Sequence, residues 1–327
     1  MRLHIGAQLP VNSDRGYSDD IDIARVARHA EEVGLESVWT GDHLSAGFPV
    51  LDSSLVLATA AAATRRIRVG YGVMLPALRP QAWAAKQIGT LQHLSGGRVL
   101  LGVGVGSGAG EEWAVAGVPP KERGRRTDRF LQVLPDLLAG RPTTVTDAPQ
   151  GARVTLTPRV PMPEVWIGGG AEAALRRTVA HGRGWLAAMK TPGQLAAGAA
   201  RLADLAAEGG VPEPRTGILV YTRVSERPGT NPSAKIADYL ATAYGIDREQ
   251  AAAVALGGSP QQVAERLREY ADAGAGTIVL VPFGTDSRRQ YDLFAQARSL
   301  LLDEGAAAGG GAPADDGAPA GDGAPAR

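Results

Sequence analysis

Short apolar, β-branched runs alternate along this chain with longer stretches whose apolar positions recur every three or four residues. The first run, Leu3–Leu9, is stopped by Pro10. A helix is predicted over Asp20–Val33, where Ile21, Ala24, Ala27 and Ala30 share a stripe and Gly34 supplies the stop. Strands are predicted at Ser37–Thr40, Ile67–Met74 and Val99–Val103, with helices over Ser53–Thr64 and Gln81–His93 between them. A helix over about Arg123–Ala139 and a Pro/Thr-rich stretch to Pro163 precede a fifth strand at Val165–Ile167. The remainder reads as helix Glu172–His181, strand Trp185–Met189, helix Pro192–Glu208, strand Gly217–Val224, helices Ser233–Val254 and Pro260–Ala273, and strand Thr277–Val281. Eight short strands, several apolar without alternation, have the pattern of a parallel sheet buried on both faces. Eight of them over about 285 residues predict an α/β fold of the closed (β/α)₈ TIM-barrel type.

From Gly305 the pattern stops. Gly, Ala, Pro and Asp dominate, and G-A-P-A recurs at Gly311–Ala314, Gly317–Ala320 and Gly323–Ala326. Such a segment has too little apolar surface to offset its ordering entropy. Residues 1–304 are therefore predicted to form the barrel domain and 305–327 a disordered tail.

Composition narrows the function classes. A formal net charge of zero over 327 residues argues against nucleic-acid binding by bulk charge. With no cysteine there is no disulfide, thiolate metal site or cysteine nucleophile. No run is long and apolar enough for a bilayer span or a signal peptide, so the expectation is a cytoplasmic protein.

In a barrel the residues just after each strand share one functional face. Here they are Gln8, the pair Asp42 and His43, Gly72–Met74, Gly104–Gly110, Gly168–Ala171, Met189–Thr191, Arg223, and Phe283 with Gly284. Gly168-Gly169-Gly170, between a strand and a helix, suits an anion held by backbone N–H groups, with Arg176 and Arg177 two turns on. The same glycines also suit a tight β–α turn that binds nothing. Gly102–Gly110 lacks the spacing of a dinucleotide fingerprint and reads as a loop that admits a flat ligand. His29, His93 and His181 lie in or near helix ends and read as surface or capping residues. No His/Asp/Glu set has metal-ligand spacing, and no G-x-S-x-G elbow occurs.

Six segments in order, A-E-E-V-G-L-E-S-V-W-T-G-D-H-L (Ala30–Leu44), T-R-R-I-R-V-G-Y-G-V (Thr64–Val73), L-S-G-G-R-V-L-L-G-V-G-V-G (Leu94–Gly106), G-V-P-P-K-E-R-G-R-R-T-D (Gly117–Asp128), V-W-I-G-G-G (Val165–Gly170) and G-G-S-P-Q-Q-V-A-E-R-L (Gly257–Leu267), carry a resemblance. Together they resemble the bacterial luciferase-like superfamily of flavin- and deazaflavin-dependent oxidoreductases. The resemblance implies a (β/α)₈ barrel with an insertion after the fourth strand, matching the irregular region 107–163. It implies coenzyme F420, or alternatively FMN, at the carboxyl ends of the strands. Gly168, Gly169, Gly170 and Ala171, helped by Arg176 and Lys190, would hold the cofactor phosphate. Gly72 and Val73, at a non-prolyl cis peptide or bulge, would support the ring, with Gly104 and Gly106 beside it. His43 would be the general base or hydrogen-bond donor, its tautomer set by Asp42. Relatives that oxidise sugar phosphates or alcohols carry a glutamate where this chain has Ser107, so their acid–base pair does not transfer; Glu111 and Glu112 lie further on.

Three functions follow from that resemblance. One is an F420-dependent oxidoreductase moving a hydride to or from a small organic substrate. Another is an FMN-dependent monooxygenase using reduced flavin and oxygen, and the third is a barrel that binds a flavin without turnover. Loops near Gln8, Phe48, Met74, Ser107–Trp113 and Phe283 would wall an apolar substrate pocket, and the Ala-rich helices suit a homodimer.

Overall fold

The computed structural model describes residues 3–11, 22–46, 48–107, 110–148, 151–227, 230–284 and 286–309, with side chains as far as 302. The strands are β1 (His4–Gln8), β2 (Ser37–Thr40), β3 (Arg68–Met74), β4 (Val99–Val103), β5 (Thr143–Thr144), β6 (Arg153–Val154), β7 (Glu164–Gly168), β8 (Gly184–Ala188), β9 (Arg215–Val224), β10 (Leu256–Gly258) and β11 (Ala275–Pro282). The helices are α1 (Ile23–Glu32), α2 (Ser53–Ala63), α3 (Gln81–Leu94), α4 (Glu112–Val115), α5 (Arg123–Leu138), α6 (Glu172–His181), α7 (Pro192–Glu208), α8 (Ser233–Tyr244), α9 (Arg248–Val254), α10 (Pro260–Asp272) and α11 (Ser287–Gly309). Strands β1, β2, β3, β4, β7, β8, β9 and β11 pair in parallel in that order, and β11 returns to β1, which closes the expected eight-stranded barrel. The chain between β4 and β7 carries α4, α5 and the β5–β6 hairpin, the expected insertion.

Period-two alternation sorts each strand between two cores. Val38, Val69, Leu101, Ile167 and Ile218 face outward and join the large core under the helices. Trp39, Leu100, Trp166, Leu186 and Val279, with Leu219 and Val73 against them, form a second core inside the barrel. Two indoles lie in that interior, and glycines in register on the adjacent strands, Gly70 beside Trp39 and Gly184 beside Trp166, make the room. A Cβ at Gly70 would overlap the Trp39 indole, and one at Gly184 would lie 2.5 Å from the ring of Trp166. Each indole nitrogen is satisfied in place, Trp39 by Ser37 Oγ at 2.8 Å and Trp166 by Glu164 Oε1 at 2.7 Å. Because a buried indole has nowhere to go, Gly70→Ala is expected to cost about 1–3 kcal/mol. The midpoint of urea unfolding checks this; a midpoint unchanged from wild type would mean the interior is looser than described.

Several elements differ from the sequence expectation. Ser233–Val254 is two helices, because Gly245 takes a left-handed φ of 63° that ends α8 and Asp247 caps α9 by accepting from Gln250 N–H. The segment after Val281, unassigned by the strand pattern, forms α11, whose buried Tyr291, Phe294, Ala297 and Leu301 recur at helical spacing. That helix runs to Gly309, so its backbone takes in the start of the Gly/Ala-rich stretch; residues 310–327 lie outside the described residues. The two-residue strands of the β5–β6 hairpin and the three-residue β10 are too short to leave a periodic signal.

Candidate functional site

The carboxyl ends of the strands gather the glycine-rich segments, and most of those glycines make room for protein rather than for a ligand. The Gly72–Val73 peptide is cis, and the β3–β4 register shifts between Tyr71 and Met74. Val73 packs onto the inner core. A Cβ at Gly104 would overlap Val73 Cγ2, and one at Gly168 would lie 2.8 Å from Val73 Cγ1. Gly104 and Gly168 thus seat Val73, which tops the barrel core. Gly106 has a φ of 66°, and a Cβ there would lie 2.8 Å from the Trp113 ring.

The turn from Gly168 to Ala171 has the features of an anion site. Gly169 adopts a φ of 120°, its carbonyl accepts the Trp185 indole N–H at 2.6 Å, and Ala171 begins α6 without a side-chain cap. The first N–H groups of α6 therefore have no partner from within the helix. The cation at this turn is Lys190: a Cβ on Gly170 would lie 3.2 Å from its Cε and 3.3 Å from its Nζ. Met189, with a φ of 55° the one left-handed non-glycine among the described residues, turns the chain at that point, and Tyr270 Oη donates to the Lys190 carbonyl at 3.0 Å. Arg176, expected to help hold the phosphate, is exposed and pairs along its own helix with Glu172 at 2.9 Å. Arg177 is likewise held by Asp128 at 2.6 Å.

Asp42 and His43 have separate partners. Asp42 is buried, and its oxygens accept from Arg79 Nη1 and Nη2 at 2.6 and 2.8 Å, Leu75 N–H at 2.8 Å and Ser53 Oγ at 2.7 Å. It ties the exit of β2 to the segment after β3 and the first turn of α2. Burial alone would raise its pKa; the Arg79 hydrogen bonds and charge, with Leu75 and Ser53, outweigh that and hold it below the usual carboxylate range. Both oxygens being occupied, Asp42 is not the group that sets the His43 tautomer. His43 instead faces Glu112, with Nδ1 3.3 Å from Oε1 and 3.4 Å from Oε2. Glu112 also accepts Leu44 N–H at 3.0 Å, and Glu111 accepts the Ser45 hydroxyl at 3.0 Å.

Sequence spacing could not find Arg79 or Glu112. Each meets its partner across a loop from another strand, 37 and 69 residues away. Two expected wall residues belong to the packing instead: Met74 is in the outer core, and Trp113 packs with Ala77 and Val118. Phe283 lies 5.5 Å from Tyr239 with the rings tilted by 57°, and Tyr239 and Tyr244 of α8 make an aromatic group with Tyr221 of β9. His29, half-buried on α1, meets Asp292 at 2.7 Å. No group of three or more metal-ligating side chains, and no helix long and apolar enough to cross a membrane, occurs among the described residues.

The eight-stranded parallel barrel with its surrounding helices is of the TIM-barrel class. Within that class, the family model of the luciferase-like monooxygenases matches residues 1–229, and the chain belongs to that family. The 4-hydroxyprotoasukamycin monooxygenase of Streptomyces nodosus subsp. asukaensis is 40% identical over 168 residues, 48% of this chain and 44% of that protein. The chain thus spans about half the length of the curated relatives it matches. An F420-dependent secondary alcohol dehydrogenase in complex with an F420–acetone adduct superposes with a TM-score of 0.77 at 17% identity, covering 92% of this chain and 99% of that one. The FMN-bound oxygenating constituent of 3,6-diketocamphane monooxygenase of Pseudomonas putida superposes with a TM-score of 0.69 at 16% identity, covering 90% and 97%. At these identities the superpositions speak for the fold alone.

Proposed function

We propose that this luciferase-like oxidoreductase is F420-dependent and moves a hydride between the deazaflavin and a small, mainly apolar organic substrate. The observation that carries the reading is the placement of two chemistries on one face: a cation over an uncapped helix turn, and a half-exposed imidazole backed by a buried carboxylate. Lys190, Gly169, Gly170 and Ala171 would hold the cofactor phosphate, and Val73 would lie under the ring. When bound, the deazaflavin supplies a carbon centre that accepts or donates hydride. His43 takes up or releases the proton that accompanies it. The aromatic group at Tyr221, Tyr239 and Phe283 gives the mouth an apolar side suited to an uncharged substrate. The 40% identical monooxygenase favours a second reading, an FMN-dependent enzyme that uses reduced flavin and oxygen.

Absorbance and fluorescence titration with each cofactor separates the two. Saturable binding of F420 with none of FMN supports the first reading; tight FMN binding, with oxygen uptake only when the flavin is reduced, supports the second. In either case Lys190→Ala is expected to weaken cofactor binding by about 1.5–3 kcal/mol, the value of a charge-assisted hydrogen bond. The phosphate-free form of the same cofactor should bind both proteins alike. Equal weakening of both forms would place the phosphate elsewhere.

A further inference from the structure

We infer that Glu112 is the positioning residue that fixes which nitrogen of His43 carries the proton; its effect on turnover, though not on the tautomer, rests on the oxidoreductase reading above. Glu112 is only 3% exposed, and its carboxylate reaches the loop after β2 from the first residue of α4. A buried carboxylate is costly unless donors meet it. Leu44 N–H is one donor, at 3.0 Å. The other group in front of it is His43 Nδ1, nearly equidistant from the two oxygens at 3.3 and 3.4 Å. An ionised carboxylate accepts and cannot donate, so the nitrogen facing it carries the hydrogen and the imidazole lone pair is left on Nε2. Nε2 has no hydrogen bond among the described residues, and the His43 side chain is 42% exposed against 4% for Glu112. The arrangement is therefore a buried acceptor behind an outward-facing base, with the loop fastened further by Glu111 and Ser45. Asp42 is the nearer acid in sequence, but Arg79, Leu75 and Ser53 occupy it.

Long-range ¹H–¹⁵N spectra of the cofactor-free full chain test this directly. They are recorded at alkaline pH, where an ordinary imidazole is neutral. The chain has five histidines, and loss of one signal set in His43→Asn assigns the relevant one. Wild-type His43 is expected in the Nδ1–H form. In Glu112→Gln the amide oxygen keeps Leu44 N–H, so the NH₂ group turns to Nδ1 and drives His43 to the Nε2–H form. Turnover in that variant should fall about ten- to a hundredfold with KM little changed. A wild-type Nε2–H form overturns the inference, whether or not the variant folds. So does a Glu112→Gln protein whose His43 keeps the wild-type tautomer. A tautomer switch in a protein that turns over nothing in any assay upholds the role of Glu112 and refutes the oxidoreductase reading instead.

Discussion

Replacing Asp42 by alanine is expected to destabilise the protein by about 3–5 kcal/mol, the range for removing one partner of a buried ion pair. The Asp42 and Arg79 side chains are 1% and 18% exposed, and the pair is bidentate. Without the carboxylate, the Arg79 guanidinium keeps a partly buried charge with only a 3.4 Å contact to the Leu75 carbonyl, and Leu75 N–H and the Ser53 hydroxyl lose their acceptor. Asp42→Asn keeps the shape but sets an amide NH₂ against a guanidinium, so it should also cost much of the total. Urea unfolding at neutral pH measures both. A loss under about 1 kcal/mol, the usual value for an exposed pair, would mean that water reaches the site.

The pH dependence has a definite sign. The pKa of Asp42 is depressed in the folded state, so its contribution is complete above the ordinary carboxylate range and disappears as the pH falls through the lower folded value. Wild-type stability should therefore drop on acidification over that interval. The Asp42→Ala protein, which has already lost the contribution, should show a shallower acid limb. Parallel limbs would assign the acid sensitivity to other carboxylates, such as Glu164, also depressed by its partners Arg215 and Arg68 against the effect of its burial.

His43→Asn is expected to lower turnover by about 10²- to 10⁴-fold, the usual contribution of a positioned acid–base group. The fold should be nearly untouched, because the His43 side chain is 42% exposed and, among the described residues, hydrogen-bonds to Glu112 alone. Cofactor affinity should likewise change little, since the phosphate contacts are proposed at Lys190 and the Gly169–Ala171 turn. The measurement is steady-state turnover with the first small organic substrate that a screen yields, beside a cofactor titration and a thermal melt. Turnover within about threefold of wild type, with the melt unchanged, would remove His43 from the chemistry. The proton would then have to come from another group at the mouth or from water.

Much of the barrel was legible along the chain because its signal is local. A strand such as Val99–Val103 or a helix such as Pro192–Glu208 declares itself by a short apolar run or a helical stripe, and both bounds match the structure. Gly-x-Asp signals were equally local at Gly245 and Asp247, yet the alanine-rich helical sequence on both sides masked them. The glycine clusters were also visible, but not their purpose. Gly104 and Gly168 read as ligand-binding glycines, whereas the structure gives their space to Val73, and Gly70 and Gly184 leave theirs to Trp39 and Trp166. A glycine shows that something comes close; only packing says what.

The same limit governs the stretch Ser37–Leu44. By itself the sequence determined that β2 ends at Thr40 and delivers Asp42 and His43 to the edge of the sheet, because backbone preference and apolar pattern act over a few residues. Adjacency in sequence suggested that the two act as a pair. Tertiary structure decided otherwise: Asp42 was claimed by Arg79 from the segment after β3, and His43 by Glu112 from the insertion after β4. Successive residues leave an extended chain in opposite directions, so neighbours in sequence meet different surroundings. Which surroundings they meet depends on the closure of the barrel, and that brings together residues dozens of positions apart.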